Sequence, residues 1–182
     1  MDDKYLVEGL KKRNNESFIE LINSYKRKVV SLCYSYTQDY QEAEDLSQEV
    51  FISIYKYIES FRGDSSLSTY IYKISLSRCM DYKRKKSIKN FLSGLFSYGK
   101  TEDSCCEFDE KNYIRHMILF LPEDMKKAIV LYYYVGLDQK EIAEILNVSV
   151  KTVEGRIYRA KQKLRLEFEK EGKVECSKNG MI

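Results

Sequence analysis

Pro122 is the only proline in a chain of 182 residues, and just eight glycines accompany it. A sandwich or barrel needs a turn-maker every few residues between its strands, so this scarcity argues against any fold of many short strands. The chain reads instead as long helices. Its 43% apolar content suffices to bury cores in one domain or in two small ones.

From Ser17, the residues Phe18, Leu21, Ile22, Tyr25, Val29, Leu32, Cys33 and Tyr36 recur at steps of three and four. That spacing predicts an amphipathic helix or a bent pair of helices. A second helix starts near Asp39, with Ala43, Leu46, Val50, Ile54 and Ile58 on one buried stripe. Asp45, Gln48, Glu49 and Ile52 share a neighbouring stripe, and a polar stripe that carries an isoleucine suits a partner surface. Residues 61–66 break the pattern, and Ser65 or Ser66 can cap a third helix that carries Tyr70, Ile71, Ile74 and Met80. Residues 87–111 read as losing the helical periodicity and gather serines and glycines with an acidic block, which predicts a linker. Periodicity resumes at Tyr113, and Pro122 followed by Glu123 and Asp124 marks a helix start. Two more helices are predicted at 138–146 and 149–168, with fraying from Gly172 onward. The expected fold is all-α, with two small helical domains joined by a flexible linker: 1–86, a linker at 87–112, 113–170 and a tail at 171–182.

The formal charge of +3 hides a strong local division. Residues 39–49 hold five acids and no base, a net −5, while residues 78–89 hold six bases against Asp81, a net +5. The second half repeats this: residues 101–110 hold five acids, and residues 151–165 hold six bases against Glu154. Two differently charged working surfaces are expected.

The most specific pattern lies at 138–160, DQKEIAEILNVSVKTVEGRIYRA. Ile142, Leu146, Val148, Val153 and Ile157 can form the small core between two crossed helices, with Ala143 where the backbones approach. Asn147 tolerates the left-handed backbone that the turn needs, and Ser149 can cap the second helix. These are the requirements of a helix-turn-helix. Its second helix then presents Lys151, Thr152, Glu154, Gly155, Arg156, Tyr158, Arg159 and Lys163. Early residues of a recognition helix face base edges, which assigns Lys151, Thr152, Gly155 and Arg156 to the major groove, and Arg159 and Lys163 to phosphate.

In the first half, residues 61–86 interleave Phe61, Tyr70, Tyr72 and Tyr82 with Arg62, Lys73, Arg78, Lys83, Arg84, Lys85 and Lys86. Single-stranded nucleic acid needs both a positive track and aromatic platforms. Tyr72 and Tyr82 fit equally well as packed residues, whereas Phe61, at the edge of a polar loop, is the better platform candidate.

The acids in Met1-Asp2-Asp3-Lys4 stand where a secretion signal needs a basic flank. The longest apolar stretch, 128–137, spans 10 residues including Gly136, against the ~20 needed to cross a bilayer. A cytoplasmic protein with no membrane insertion is expected. Five cysteines without regular spacing fit a reducing compartment, with Cys33 and Cys79 in the core. A metal or redox enzyme built on Cys105, Cys106 and His116 fits poorly, because adjacent cysteines strain a tetrahedral site and one histidine is too few for catalytic zinc. No catalytic residue, metal or cofactor is expected.

With AEDLSQEVF at 43–51, FRGDSSLSTYIYKI at 61–74, MDYKRKK at 80–86 and the run from Leu121 to Leu164 in view, the chain resembles the bacterial RNA polymerase sigma factors of the sigma-70 family, extracytoplasmic-function (ECF) group. The resemblance implies a protein that binds core RNA polymerase and directs promoter-specific initiation. It implies that Asp45, Gln48, Glu49 and Ile52 meet the β′ clamp helices. It places Phe61, Arg62, Asp64, Ser65, Thr69, Tyr70, Lys73, Ser77, Lys83 and Arg84 at the −10 element, where a base is flipped from the stack. The helix-turn-helix would read the −35 element as duplex, and an anti-sigma factor would control the chain. Ser77 stands where many relatives carry an Asn that grips the flipped base. Glu154 stands where relatives often carry Lys or Arg, and an acid there suits a cytosine amino group. The rival reading is a stand-alone helix-turn-helix regulator whose residues 1–86 sense a signal or dimerise.

Overall fold

A computed structural model describes residues 3–96, 114 and 117–178, and among these there are helices and no strand. The first domain holds α1 (Asp3–Lys11), α2 (Asn15–Thr37), α3 (Tyr40–Tyr57), a 3-10 turn (Ile58–Ser60) and α4 (Leu67–Phe96). The second holds α5 (Glu123–Val130), a π-helix (Leu131–Val135), α6 (Gln139–Leu146) and α7 (Val150–Lys178).

The boundaries follow local chemistry. Asp39 caps α3 by accepting from the Glu42 amide at 2.8 Å, and Ser66 caps α4 by accepting from the Thr69 amide at 3.1 Å. Asp138 and Glu141 form a capping box at the start of α6, with the reciprocal bonds at 2.9 and 2.8 Å. Asn147 ends α6 in the left-handed region at φ 53°, and Ser149 accepts from the Thr152 amide at 3.2 Å to open α7. Asn147 is one of few L-residues at home in that backbone. Asn147→Ala should therefore cost about 1 kcal/mol while Asn147→Gly stays near neutral, read as urea midpoints.

The cores match the predicted stripes. Leu21, Val29, Leu32 and Cys33 of α2, Val50 and Ile54 of α3, and Ile71 and Cys79 of α4 are fully buried. In the second domain Ile142, Val153 and Ala160 close the angle between α6 and α7.

Two boundaries differ from the sequence reading. α4 runs to Phe96, past the boundary expected at 86 and into the segment expected to be linker. The periodicity is not lost at 87 as expected: Ile88, Phe91, Leu92 and Leu95 keep the helical step through the serines and glycine. α7 runs to Lys178, past the predicted end at 168 and through the segment expected to fray, because residues 169–178 contain few helix breakers apart from Gly172. The acidic block at 101–110, with Cys105 and Cys106, and also Tyr113 and His116, lie outside the described residues. α1 and the π-helix had no counterpart in the sequence reading.

Candidate nucleic-acid and polymerase interface

On α3, Asp45, Gln48, Glu49 and Ile52 are all exposed on one face, Ile52 at 51%. An isoleucine half open to water thus stands beside two acids. The neighbouring acids are used inside the fold. Glu42 accepts from Lys86 of α4 at 3.2 Å and from the Tyr82 hydroxyl, and Glu44 lies 3.7 Å from Lys26 of α2. The acidic and basic blocks of the first domain therefore meet at Glu42, leaving Asp45 and Glu49 as the outward-facing acids of this stripe.

The residues expected at the −10 element divide into two sets. Arg62, Asp64, Lys73, Ser77, Lys83 and Arg84 are exposed, Ser65 and Tyr70 half-buried. Lys73, Ser77 and Arg84 follow one another along one side of α4. Phe61 is not the open platform expected of it. It is 9% exposed, and its ring lies 4.9 Å from that of Tyr70, whose hydroxyl donates to the Tyr57 carbonyl at 3.1 Å. The loop at 61–66 folds back against α1, where Lys11 donates to the Phe61 carbonyl at 2.7 Å. Thr69 is also buried, at 2%, and donates to Glu144 of α6 at 3.4 Å. Tyr72 is a packed residue at 1% exposure, and burial raises its hydroxyl above the usual tyrosine range.

On α7, the buried residues Val153, Ile157 and Ala160 turn the opposite face outward. Lys151, Glu154, Tyr158, Arg159 and Lys163 are exposed, Tyr158 at 64%. Thr152, Gly155 and Arg156 are half-buried. Arg156 is held by Asp124 of α5 at 2.8 Å, within its own domain. Gly155 makes room for Arg159, whose guanidinium stands 3.3 Å from where a Cβ would sit.

Sequence reasoning missed a polar cluster where the domains meet. Glu123 and Lys126 of α5 face Tyr36 of α2 and Lys83 of α4. One signal was available: Lys126 falls on the same helical stripe as the buried Ile129 and Val130. Among the described residues no group of three His, Cys, Asp or Glu could hold a metal ion. No helix among them is long and apolar enough to cross a membrane.

Family models match this division of the chain: sigma-70 region 2 over residues 21–88, and sigma-70 region 4 over residues 111–164. The ECF RNA polymerase sigma factor SigW of Bacillus subtilis (strain 168) is 35% identical over 176 residues, covering 89% of this chain and 94% of its own length. The chain belongs to the ECF RNA polymerase sigma factors. The ECF sigma-E factor of Escherichia coli (strain K12) is 33% identical, with 89% and 92% covered. CnrH, solved with the cytosolic domain of CnrY, shares the fold at a TM-score of 0.71 and 23% identity, covering 92% of this chain and 97% of its own. RpoE of Bartonella quintana, solved with the anti-sigma factor NepR, does so at 0.65 and 20%, covering 85% and 98%. This sigma factor directs promoter-specific initiation as a DNA-binding partner of RNA polymerase.

Proposed function

We propose a division of labour among the surfaces just described. The exposed stripe of Asp45, Gln48, Glu49 and Ile52 docks on the β′ clamp helices. The open side of α4, with Lys73, Ser77 and Arg84, takes the non-template strand at the −10 element. The outer face of α7 enters the major groove at the −35 element. Phe61 and Thr69 serve this reading as supports for the loop rather than as contacts. What carries it is the helix-turn-helix of α6 and α7, whose left-handed turn, two caps and small core leave one exposed, mostly basic face.

An anti-sigma factor is the proposed controlling partner. The complexes of CnrH and of the Bartonella RpoE support it, as does an apolar groove of about 680 Å³ lined by Ile118, Ile129, Leu164 and Phe168. A groove of that kind is covered by an amphipathic helix in many complexes. The protein acts in the cytoplasm, where the polymerase is.

Transcription reconstituted with purified core polymerase tests the whole reading. Promoter-dependent transcripts should arise from a genomic template library, and their complete absence refutes it. Tight duplex binding by the chain alone would favour the stand-alone regulator. Within α7, Arg159→Ala should weaken binding across all sequences and reduce the salt slope by about 1. A changed sequence preference in a binding selection would move Arg159 from phosphate to base.

A further inference from the structure

Among the described residues Lys126 is the only charged side chain that is buried. It sits on α5 of the second domain at 1% exposure, and lysine is almost never fully buried without a partner. Its partners belong to the first domain. The amine stands 4.0 Å from the centre of the Tyr36 ring on α2. Glu123, one turn earlier on α5, accepts from the Tyr36 hydroxyl at 3.2 Å and from Lys83 of α4 at 2.6 Å. Cys79 of α4 lies close enough to Lys126 to interact with its charge.

Two more bonds cross the same boundary. Ser31 of α2 donates to the Tyr134 carbonyl of the π-helix at 3.2 Å, and Thr69 of α4 donates to Glu144 of α6 at 3.4 Å. These polar contacts flank an apolar cluster that runs from the first domain into the second, and the polar share of such a boundary is what lets domains of one chain part. The α3 stripe stays exposed in this closed form, so it leaves the proposed polymerase-docking surface open.

We propose that Glu123, bonded across the boundary to Tyr36 and Lys83, latches the second domain closed on the first in the free chain, and that the buried Lys126 links this latch to protons, its charge opposing closure. This goes beyond the assignment of polymerase and DNA contacts and stands whether or not those residues act as assigned. It adds a step to the life of the chain, in which the latch releases before the two domains move apart.

The proton link follows from what closure does to the amine. Burial pushes Lys126 down from 10.5 to about 8, with Lys83 acting in the same direction and Glu123 and Cys79 opposing it. Separation returns the amine to water and its ordinary range. Between those values the closed chain therefore binds fewer protons than the open one. Rising pH favours closure through that window, and falling pH through about 8 favours release. Burial raises both Tyr36 and Cys79, so neither supplies the proton. Between pH 7.5 and 9.5 the closing constant should rise roughly 20-fold.

Small-angle scattering of the full chain in a urea series tests this, with circular dichroism to follow helicity. Wild type should expand before it loses helix, and at lower urea at pH 7.5 than at pH 9.5. Lys126→Met, which has no proton to lose, should require more urea than wild type at pH 7.5 and give the same value at both pH values. Lys126→Arg, charged throughout, should separate early at both. Glu123→Gln should separate earlier than wild type at both. The latch is overturned if the wild-type pH difference persists in Lys126→Met, or if no variant expands before helix is lost.

Discussion

Reversing Asp45 and Glu49 together to lysine should abolish promoter-dependent transcription while leaving the fold intact. Both side chains are exposed on α3, so the substitution removes no packing and no cap. Truncating a close charge pair at an interface costs ~2–5 kcal/mol, and reversal adds repulsion, so core polymerase affinity should fall at least about 100-fold. Thermal melting should move by little, because exposed substitutions away from special features stay within roughly 0.5 kcal/mol. Glu42→Lys is the informative comparison. It breaks the bonds to Tyr82 and Lys86 that join α3 to α4, so it should lower stability, which the double reversal leaves alone. Normal polymerase binding by the double reversal would remove the α3 stripe from the interface altogether.

The second large effect concerns Phe61. At 9% exposure and with its ring tilted against that of Tyr70, it is a core residue, so Phe61→Ala should cost about 3 kcal/mol. Phe61→Leu should recover most of that, since shape and apolar volume are largely kept. A ring that acted as a base platform would give the reverse outcome. Melting would hold for both variants, while single-stranded DNA binding would fall for alanine and leucine alike, neither offering a stacking face. Urea midpoints and fluorescence anisotropy on the same preparations separate the two roles.

The contrast between Phe61 and Asn147 marks where a sequence is readable. Asn147, Ser149 and Asp39 act on backbone within a few residues of themselves, so their chemistry is complete in the local sequence. The helix-turn-helix and the α3 stripe were legible for that reason. Phe61 depends on a loop folding back onto Lys11 of α1, some fifty residues away, and nothing near it in the chain announces that contact. Lys126 is the extreme case: its stripe on α5 points to burial, but the groups that receive it are supplied by α2 and α4. The end of α4 was misjudged for a different reason. Serine and glycine there suggest a linker, but Ile88, Phe91, Leu92 and Leu95 hold the helical step, and periodicity outweighed composition.

The π-helix at Leu131–Val135 fits one more residue into its turn than an α-helix of the same length. Each residue of an α-helix advances the chain by ~100° of rotation. Straightening that turn into regular helix with every residue kept would swing everything after it, α6 and α7 together, around the axis of α5. The loss would be one of aim: a reading head with its own fold and chemistry intact, pointed at the wrong side of the double helix.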